Sequence, residues 1–584
     1  MICPTLQSAA QGRVTTEVFR GLDRRPEAPD GAFADCMNMS SRLFPLASQR
    51  PARGVAAQLS APGGVMGKDA LAWVDGGTLY LGGEPTGLTG LGPGEKQLVS
   101  MGARIIVFPD KMYFNTADPS DFGSLEASYA SQGAVSAEPC TEDGTPILPD
   151  LSPLRPESAE SGSYWADTDG RKLYRCTAEG VWSEVGTVCT RFTFTSLGAI
   201  GAAFSALDGV TVSGTGSCDG KKLILALGGS AEERDWIVLT GFCAAPASVE
   251  GTVRLRREVP ELDFVVQCRN RLWGCFYGRR GTRTVNEICC CALGDPKNWR
   301  RFEGLSTDSW TASVGSDGEW TGAVNYLGTP VFFKERTLHR VTVSPVGAHS
   351  VGETVCRGVK KGSAKSLCVM GETLYYHGRG GIFAWQGGFP ERVSAALGEA
   401  EMSNVCAGAC GEKLYVSGLC GGTRSLYVLD SERGVWERED DPGAAAFTET
   451  RGELWCLCSD GRVVAMSGAY GLRESGVDWS FTSGAMHYGI PEEKYVSRIL
   501  LRMSLESGAS ASIEAEYDSS GVWEEAGSVT GSGALRSFLL PIVPRRCDHM
   551  RLRVSGRGEM RLYSLSRVLE RGSDIPEAGG ESDV

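Results

Sequence analysis

Histidine is scarce in this chain: His339, His349, His377, His487 and His549 are the only five in 584 residues. None forms a His-Glu-x-x-His pair and none lies near a Gly-x-Ser-x-Gly elbow, so neither a zinc-protease helix nor a serine-hydrolase turn is written here. Walker loops and dinucleotide fingerprints are missing too. No stretch approaches the roughly 18 apolar residues a membrane helix needs. The opening Met1-Ile-Cys-Pro-Thr-Leu-Gln-Ser8 has no basic n-region and no apolar h-region. Positive charge is the minority sign: the net charge is −13, which disfavours non-specific grip on a nucleic-acid backbone and keeps a large assembly soluble. Cysteine is plentiful, at 20, but lacks metal-site spacing: Cys406-x-x-x-Cys410 and Cys456-x-Cys458 have no matching second pair. The run Cys289-Cys290-Cys291 falls inside a strand pattern. The expectation is therefore small buried hydrophobes in a reducing cytosol.

Glycine is abundant, at 77 residues, and long helical periods are few. With many Val, Thr, Tyr and Trp, this predicts an all-β protein rich in turns. One phrase recurs on a fixed beat: Gly371-Glu-Thr-Leu374-Tyr375, Gly411-Glu-Lys-Leu414-Tyr415 and the variant Gly452-Glu-Leu454-Trp455. Its leucines stand 40 residues apart twice in succession. Each phrase reads as a tight turn followed by a strand, with a second apolar run downstream. A period of about 40 residues holding several short strands is the signature of β-propeller blades, which must stack to bury both faces. Weaker echoes at Leu79-Tyr80, Met112-Tyr113, Leu272-Trp273 and Val331-Phe332 bring the expected number to about seven blades.

The spacing breaks between Tyr113 and Leu272, a gap of about 160 residues that no single loop spans. The expected organisation is an N-terminal arm (1–50), the first blades (51–117), an inserted small β-rich domain with a Pro/Ser-rich linker (118–262) and the remaining blades (263–472). A jelly-roll-like β-sandwich (473–570) and a flexible acidic tail (571–584) complete it. The sandwich is read from alternating runs over 494–505, 511–517, 535–542, 550–554 and 560–565.

Chemistry is thin along this frame. His339 and His377 fall in or beside strands and are read as hydrogen-bonded structural residues. Sialidase-type propellers repeat an Asp-box, roughly Ser-x-Asp-x-Gly-x-x-Trp; the nearest pieces are Ser316-Asp-Gly-Glu-Trp320 and Tyr517-Asp-Ser-Ser-Gly-Val-Trp523. Both have the wrong spacing and read as turn-plus-strand phrases. The arginine pairs Arg279-Arg280, Arg300-Arg301 and Arg545-Arg546 suit solvated faces or subunit contacts. Trp299, after the turn Gly294-Asp-Pro296, is expected to start a strand and plug between blades, and Lys334-Glu335 to end an apolar run at a solvent edge. No catalytic, cofactor-binding or metal-binding residue is assigned, no cofactor is expected, and no enzyme is expected.

The stretch 264–395 carries the most specific wording: Arg269-Asn-Arg-Leu-Trp-Gly274, Ala292-Leu-Gly-Asp-Pro-Lys-Asn-Trp299, Gly318-Glu-Trp-Thr-Gly-Ala323, Val331-Phe-Phe-Lys-Glu335 and Gly380-Gly-Ile-Phe-Ala-Trp-Gln-Gly387. In this order the phrases resemble the β-propeller tail proteins of bacteriophages, the tail nozzle and packaged-DNA stabilisation proteins of short-tailed phages. Phe19-Arg-Gly-Leu-Asp23, Asp35-Cys-Met-Asn38 and Pro541-Ile-Val-Pro544 fit the same resemblance; the insert does not share it. The resemblance implies a virion structural protein, assembled in the host bacterial cytoplasm, whose copies close into a ring, expected to be a hexamer, at a head–tail connector or tail end. It implies other tail or connector proteins as partners, and DNA that passes the lumen without sequence-specific contact, is retained there and is conducted on ejection; an acidic lumen would let it slide. The alternatives are a propeller adhesin that docks a host-surface receptor or glycan, and a propeller glycosidase.

Overall fold

The computed structural model describes residues 11–344, 347–399, 401–486, 494–543 and 545–571; His487, Pro544 and the acidic tail beyond 571 lie outside the described residues. The chain is all-β apart from short helical turns. Seven small antiparallel sheets form the blades of a propeller. Blade 1 runs over 62–85 and blade 2 over 97–124; blades 3 to 6 cover 264–313, 322–355, 368–392 and 402–439. Blade 7 combines Ala444–Thr450, Glu453–Cys458 and Arg462–Ala465 with Gly54–Gln58, which pairs antiparallel with Arg462–Ala465. A strand from ahead of blade 1 thus completes the last blade and ties the ring shut.

The recurring leucine and aromatic lie on the second strand of their blades, where consecutive side chains point to opposite faces. Leu454 meets Cys406 and Leu426 of blade 6, and its neighbour Trp455 meets Leu71 and Trp73 of blade 1. Separate apolar clusters fill every joint: Val74 with Ile105 between blades 1 and 2, Ile106 with Leu272 between 2 and 3, Trp273 with Phe332 between 3 and 4, Phe333 with Leu374 between 4 and 5, and Tyr375 with Val416 between 5 and 6. The glycines of the beat make the turns that start these strands. Gly371 and Gly411 stand at φ +60° and +57°, in the left-handed region that suits a two-residue hairpin turn.

Residues 127–257 form a separate lobe between blades 2 and 3. Its strands make two sheets that share Gly220–Gly228, closed over Phe192, Phe194, Ile224 and Ile237. A miniature sheet over 164–184, with Trp165 stacked on Tyr174 at 4.9 Å, stands beside it. Asp208 pairs with Arg257, and Asn298 of blade 3 donates to the Leu207 carbonyl (2.7 Å), which ties the lobe to the propeller.

Of the segment 1–50, expected as an arm, the described residues 11–50 are instead built into the C-terminal sandwich. Gln11–Thr16 and Ala47–Gln49 pair with Met560–Arg571, and Phe33–Met37 pairs with Asp478–Ser483. One sheet also holds Lys494–Leu505 and Leu535–Leu540; the other holds Met550–Arg557, Ser510–Tyr517 and Glu524–Thr530. The apolar residues of the opening segment, spread among Arg, Asp and Pro, give no period of their own, yet Phe19, Leu22, Phe33 and Met39 are buried in the sandwich core. The partner strands lie more than 400 residues away, so no local pattern shows the pairing. Two smaller expectations change as well. Trp299 does plug the joint between blades 2 and 3, but from a loop, its indole donating to the Pro296 carbonyl (2.9 Å); the next strand starts at Trp310. Lys334 is not at a solvent edge but 2% exposed, its ammonium 4.5 Å from the Trp320 ring and 3.2 Å from Asn286 Oδ1.

Candidate functional site

Segments that lead into the first strands of several neighbouring blades come together. There they enclose a cavity of about 590 Å3 whose lining comes from blades 3 to 7 and from Glu95, which precedes blade 2. Phe264, Trp320 and Thr321 bring in blades 3 and 4; Lys361 and Lys365 lie on the segment entering blade 5; Asn404, Arg424 and Ala444 come from blades 6 and 7. The loop 316–319, with Lys334 and Arg336, borders an adjoining cleft.

The innermost strands lose regularity at this mouth. Register shifts occur between Ser403 and Cys406 of blade 6 and between Ala444 and Ala446 of blade 7. Within the first of these Asn404 adopts φ +48°, left-handed backbone that costs a non-glycine residue about 1 kcal/mol or more. Bulges re-aim side chains, and this one lies in the cavity wall.

The charge at the mouth runs against that of the chain. Three cations line the cavity against one carboxylate, Glu95, which pairs with Lys365 at 3.1 Å. Lys361 pairs with Glu319. Arg424 donates Nη2 to the Ala444 carbonyl and forms no ion pair among the described residues, while its Nε is buried without a partner. Trp320 and Thr321, each 4% exposed, also leave Nε1 and Oγ1 unpartnered. Next to the mouth, burial raises the Asp263 carboxyl above its usual range, the Tyr277 N–H (2.7 Å) opposes this, and the like charge of Glu319 adds to it.

The residues singled out in the sequence are dispersed. His339 is fully buried, its Nε2 2.9 Å from Ser316 Oγ and 3.2 Å from Glu353, and burial lowers its pKa. His349 lies between Trp273 and Trp310, with ring centroids 5.3 Å from each. His377 shares a hydrogen bond with Ser363 (2.9 Å), and burial, aided by the nearby Lys360, lowers its pKa to about 4. His549 rests on Ser519 in the sandwich. Cys456 and Cys458 lie 4.0 Å apart on one strand face, and the cysteines among the described residues are free and mostly buried. No group of three or more metal-type side chains occurs among the described residues. Of the two Asp-box-like phrases, Tyr517–Trp523 belongs to the sandwich, whereas Ser316–Trp320 reaches the mouth. Trp320, Thr321, Lys361, Lys365 and Arg424 were not picked out in the sequence. The available signal was their place just ahead of, or at the turn facing, each blade's first strand.

No family model matches the chain, and no curated protein does. Among solved structures the chain is similar to an exo-β-1,3-galactanase from Phanerochaete chrysosporium (9% identity, 75% of this chain and 100% of that one, TM-score 0.18). It is similar to the endosialidase of phage phi92 (10% identity, 97% and 77%, TM-score 0.15) and to a family 43 arabinoxylan arabinofuranohydrolase from Bacillus subtilis (10% identity, 88% and 95%, TM-score 0.16). These proteins are enzymes, and this corrects the expectation that the chain is not one: a lack of sequence motifs does not exclude catalysis. No residue role is carried over from them.

Proposed function

We propose that the chain is a structural part of a bacteriophage tail, of the nozzle or packaged-DNA stabilisation type, whose copies close into a ring around the DNA path. The observation that carries this reading is the double closure of the fold. Gly54–Gln58 locks blade 7, and the first and last described strands, Gln11–Thr16 and Met560–Arg571, pair with each other in the sandwich. The sandwich in turn is tied to the propeller by ion pairs: the buried Arg50 binds Asp440 (2.8 Å) and Glu474 (2.7 Å), and Arg438 reaches Asp35 (2.8 Å). A wall element that must hold against packed DNA needs this kind of block, with the insert and sandwich free to meet neighbouring copies and adjoining tail rings. The net charge of −13 gives passing DNA no overall grip.

Mass photometry and negative-stain microscopy of the full-length protein test this reading. A closed ring with a central channel, of about six copies, is the expected result. A particle that stays monomeric at every accessible concentration, alone and with virion extracts, sinks it.

A further inference from the structure

We propose that a turn at one end of the sandwich is a serine-hydrolase site for short-chain carboxylic esters. This activity goes beyond a wall role and does not depend on the ring. The antiparallel register that pairs Tyr517 with Met550 brings the turn after Ser510–Tyr517 beside the residues that lead into Met550–Arg557. Three side chains from these two segments form one hydrogen-bonded row. Ser519 Oγ lies 2.7 Å from His549 Nε2, and His549 Nδ1 lies 2.9 Å from Asp548 Oδ2. An ionised carboxylate only accepts, so Nδ1 carries the imidazole hydrogen. In the neutral ring Nε2 is then the acceptor, and the Ser519 hydroxyl donates to it. Nucleophile, base and orienting carboxylate stand in the order that acyl transfer to serine requires.

The row is held in place by its own backbone. Asp518 Oδ1 accepts the N–H groups of Asp548 (2.8 Å) and His549 (3.2 Å), while the Asp518 N–H donates to the His549 carbonyl (3.0 Å). The Ser520 N–H closes the turn on the Tyr517 carbonyl (3.1 Å), and the Gly521 N–H donates to the buried Glu516 (2.8 Å). Ser519 stands at φ +50°, so it keeps a hydroxyl where glycine would be unstrained and its own backbone costs about 1 kcal/mol or more. The Ser519 N–H donates to no group among the described residues and is the donor left for the developing oxyanion. Ser519 and Asp548 are exposed, and the residues after the serine are the small Ser520 and Gly521, so approach from solvent is open. Such a turn suits a short acyl group, such as an O-acetyl carried on a larger molecule, better than a long chain, which needs an enclosing apolar slot.

In the reaction Ser519 Oγ adds to the ester carbonyl while its proton passes to His549 Nε2. The bond from the carbonyl carbon to the alkoxy oxygen breaks, and the alcohol leaves with that proton. Water then adds to the acyl-serine and gives a proton to Nε2, and the carboxylic acid departs as Ser519 takes the proton back. The sum is ester plus water to acid plus alcohol. Asp548 acts as a positioning residue that fixes the tautomer.

The test uses the full-length protein, an alkyl fluorophosphonate probe read by peptide mass spectrometry, and p-nitrophenyl acetate and octanoate as substrates. The probe is expected to form an adduct on Ser519, and the acetate to turn over faster than the octanoate. Ser519→Gly removes the hydroxyl and relieves the backbone. It should abolish the adduct and slow acetate hydrolysis by about a hundredfold or more, while melting no lower than the parent. His549→Gln should slow the reaction to a similar extent. Asp548→Asn should lower kcat by about tenfold or more with KM unchanged. Ser520→Ala, one residue along, should keep both the adduct and the rate. The proposal is overturned if no adduct forms on Ser519, if Ser519→Gly hydrolyses the acetate as fast as the parent, or if Ser520 is labelled as readily as Ser519. Faster turnover of the octanoate overturns the short-chain class.

Discussion

Glu437 is 4% exposed, on the outer strand of blade 6 where the sandwich docks, and burial raises its pKa from about 4.5 to about 7 despite Lys413 and the Ser41 N–H nearby. The folded protein therefore holds this proton more tightly than the unfolded chain. The stability the group contributes is fully present below about pH 4.5 and is lost as pH rises through 7. Glu437→Gln should raise stability above pH 7 by up to about 3 kcal/mol, a tenfold change in proton affinity being worth about 1.4 kcal/mol, with the gain vanishing near pH 4.5. Thermal melts of both proteins from pH 4 to 8.5 check this; superimposable curves at every pH would refute it. Single residues were the least legible level in the sequence. Lys334 reads as a surface charge after an apolar run, yet the fold closes Trp320 and Tyr277 over its ammonium, at 4.5 and 5.4 Å. His339 and His377 were legible because a strand imidazole takes a local hydrogen-bond partner, and Ser316 and Ser363 supply one each, though His339 Nδ1 is left without a partner.

At the scale of elements, the glycine beat and the closing strand make different demands. A Cβ at Gly371 would meet nothing within 4 Å, so Gly371→Ala pays only the left-handed backbone penalty of about 1–2 kcal/mol. A Cβ at Gly54 would sit 2.0 Å from the Tyr470 carbonyl. Gly54→Ala must therefore displace the strand that locks blade 7 and should lower the melting midpoint well beyond Gly371→Ala; calorimetry of the two variants side by side decides it. Trp455→Ala, which empties the joint between blades 7 and 1, is expected to cost about 3–5 kcal/mol by urea denaturation. Blades were legible because each one repeats the same local needs, a turn and then an apolar strand. The fourth strand of blade 7 was not, since Gly54–Gln58 meets its partner only after the ring has come round.

For the whole molecule, the weave of both chain halves into one sandwich has a direct consequence. A chain starting at residue 51 lacks every N-terminal strand of both sheets, exposing Leu565, Phe481 and their neighbours. It should precipitate or bind a hydrophobic dye, and co-expression of residues 1–50 as a separate peptide should restore solubility and protease resistance. A soluble, protease-resistant 51–584 fragment without that peptide would contradict the observed pairing.

The sequence alone determined that the chain is all-β, that its repeats are propeller blades and that something is inserted after Tyr113. Each of these follows from local chemistry: glycine where φ must be positive, alternating apolar residues where a strand is half-buried, and a broken beat where the repeat stops. Only the tertiary structure decided that residues 11–50 belong to the sandwich, that the ring is closed by a strand from ahead of blade 1, and that Trp320, Thr321, Lys361 and Arg424 line one cavity. These are long-range facts. Residues up to about 560 positions apart meet because the ring and the sandwich close on themselves, and no window of sequence carries the sign of a partner so distant.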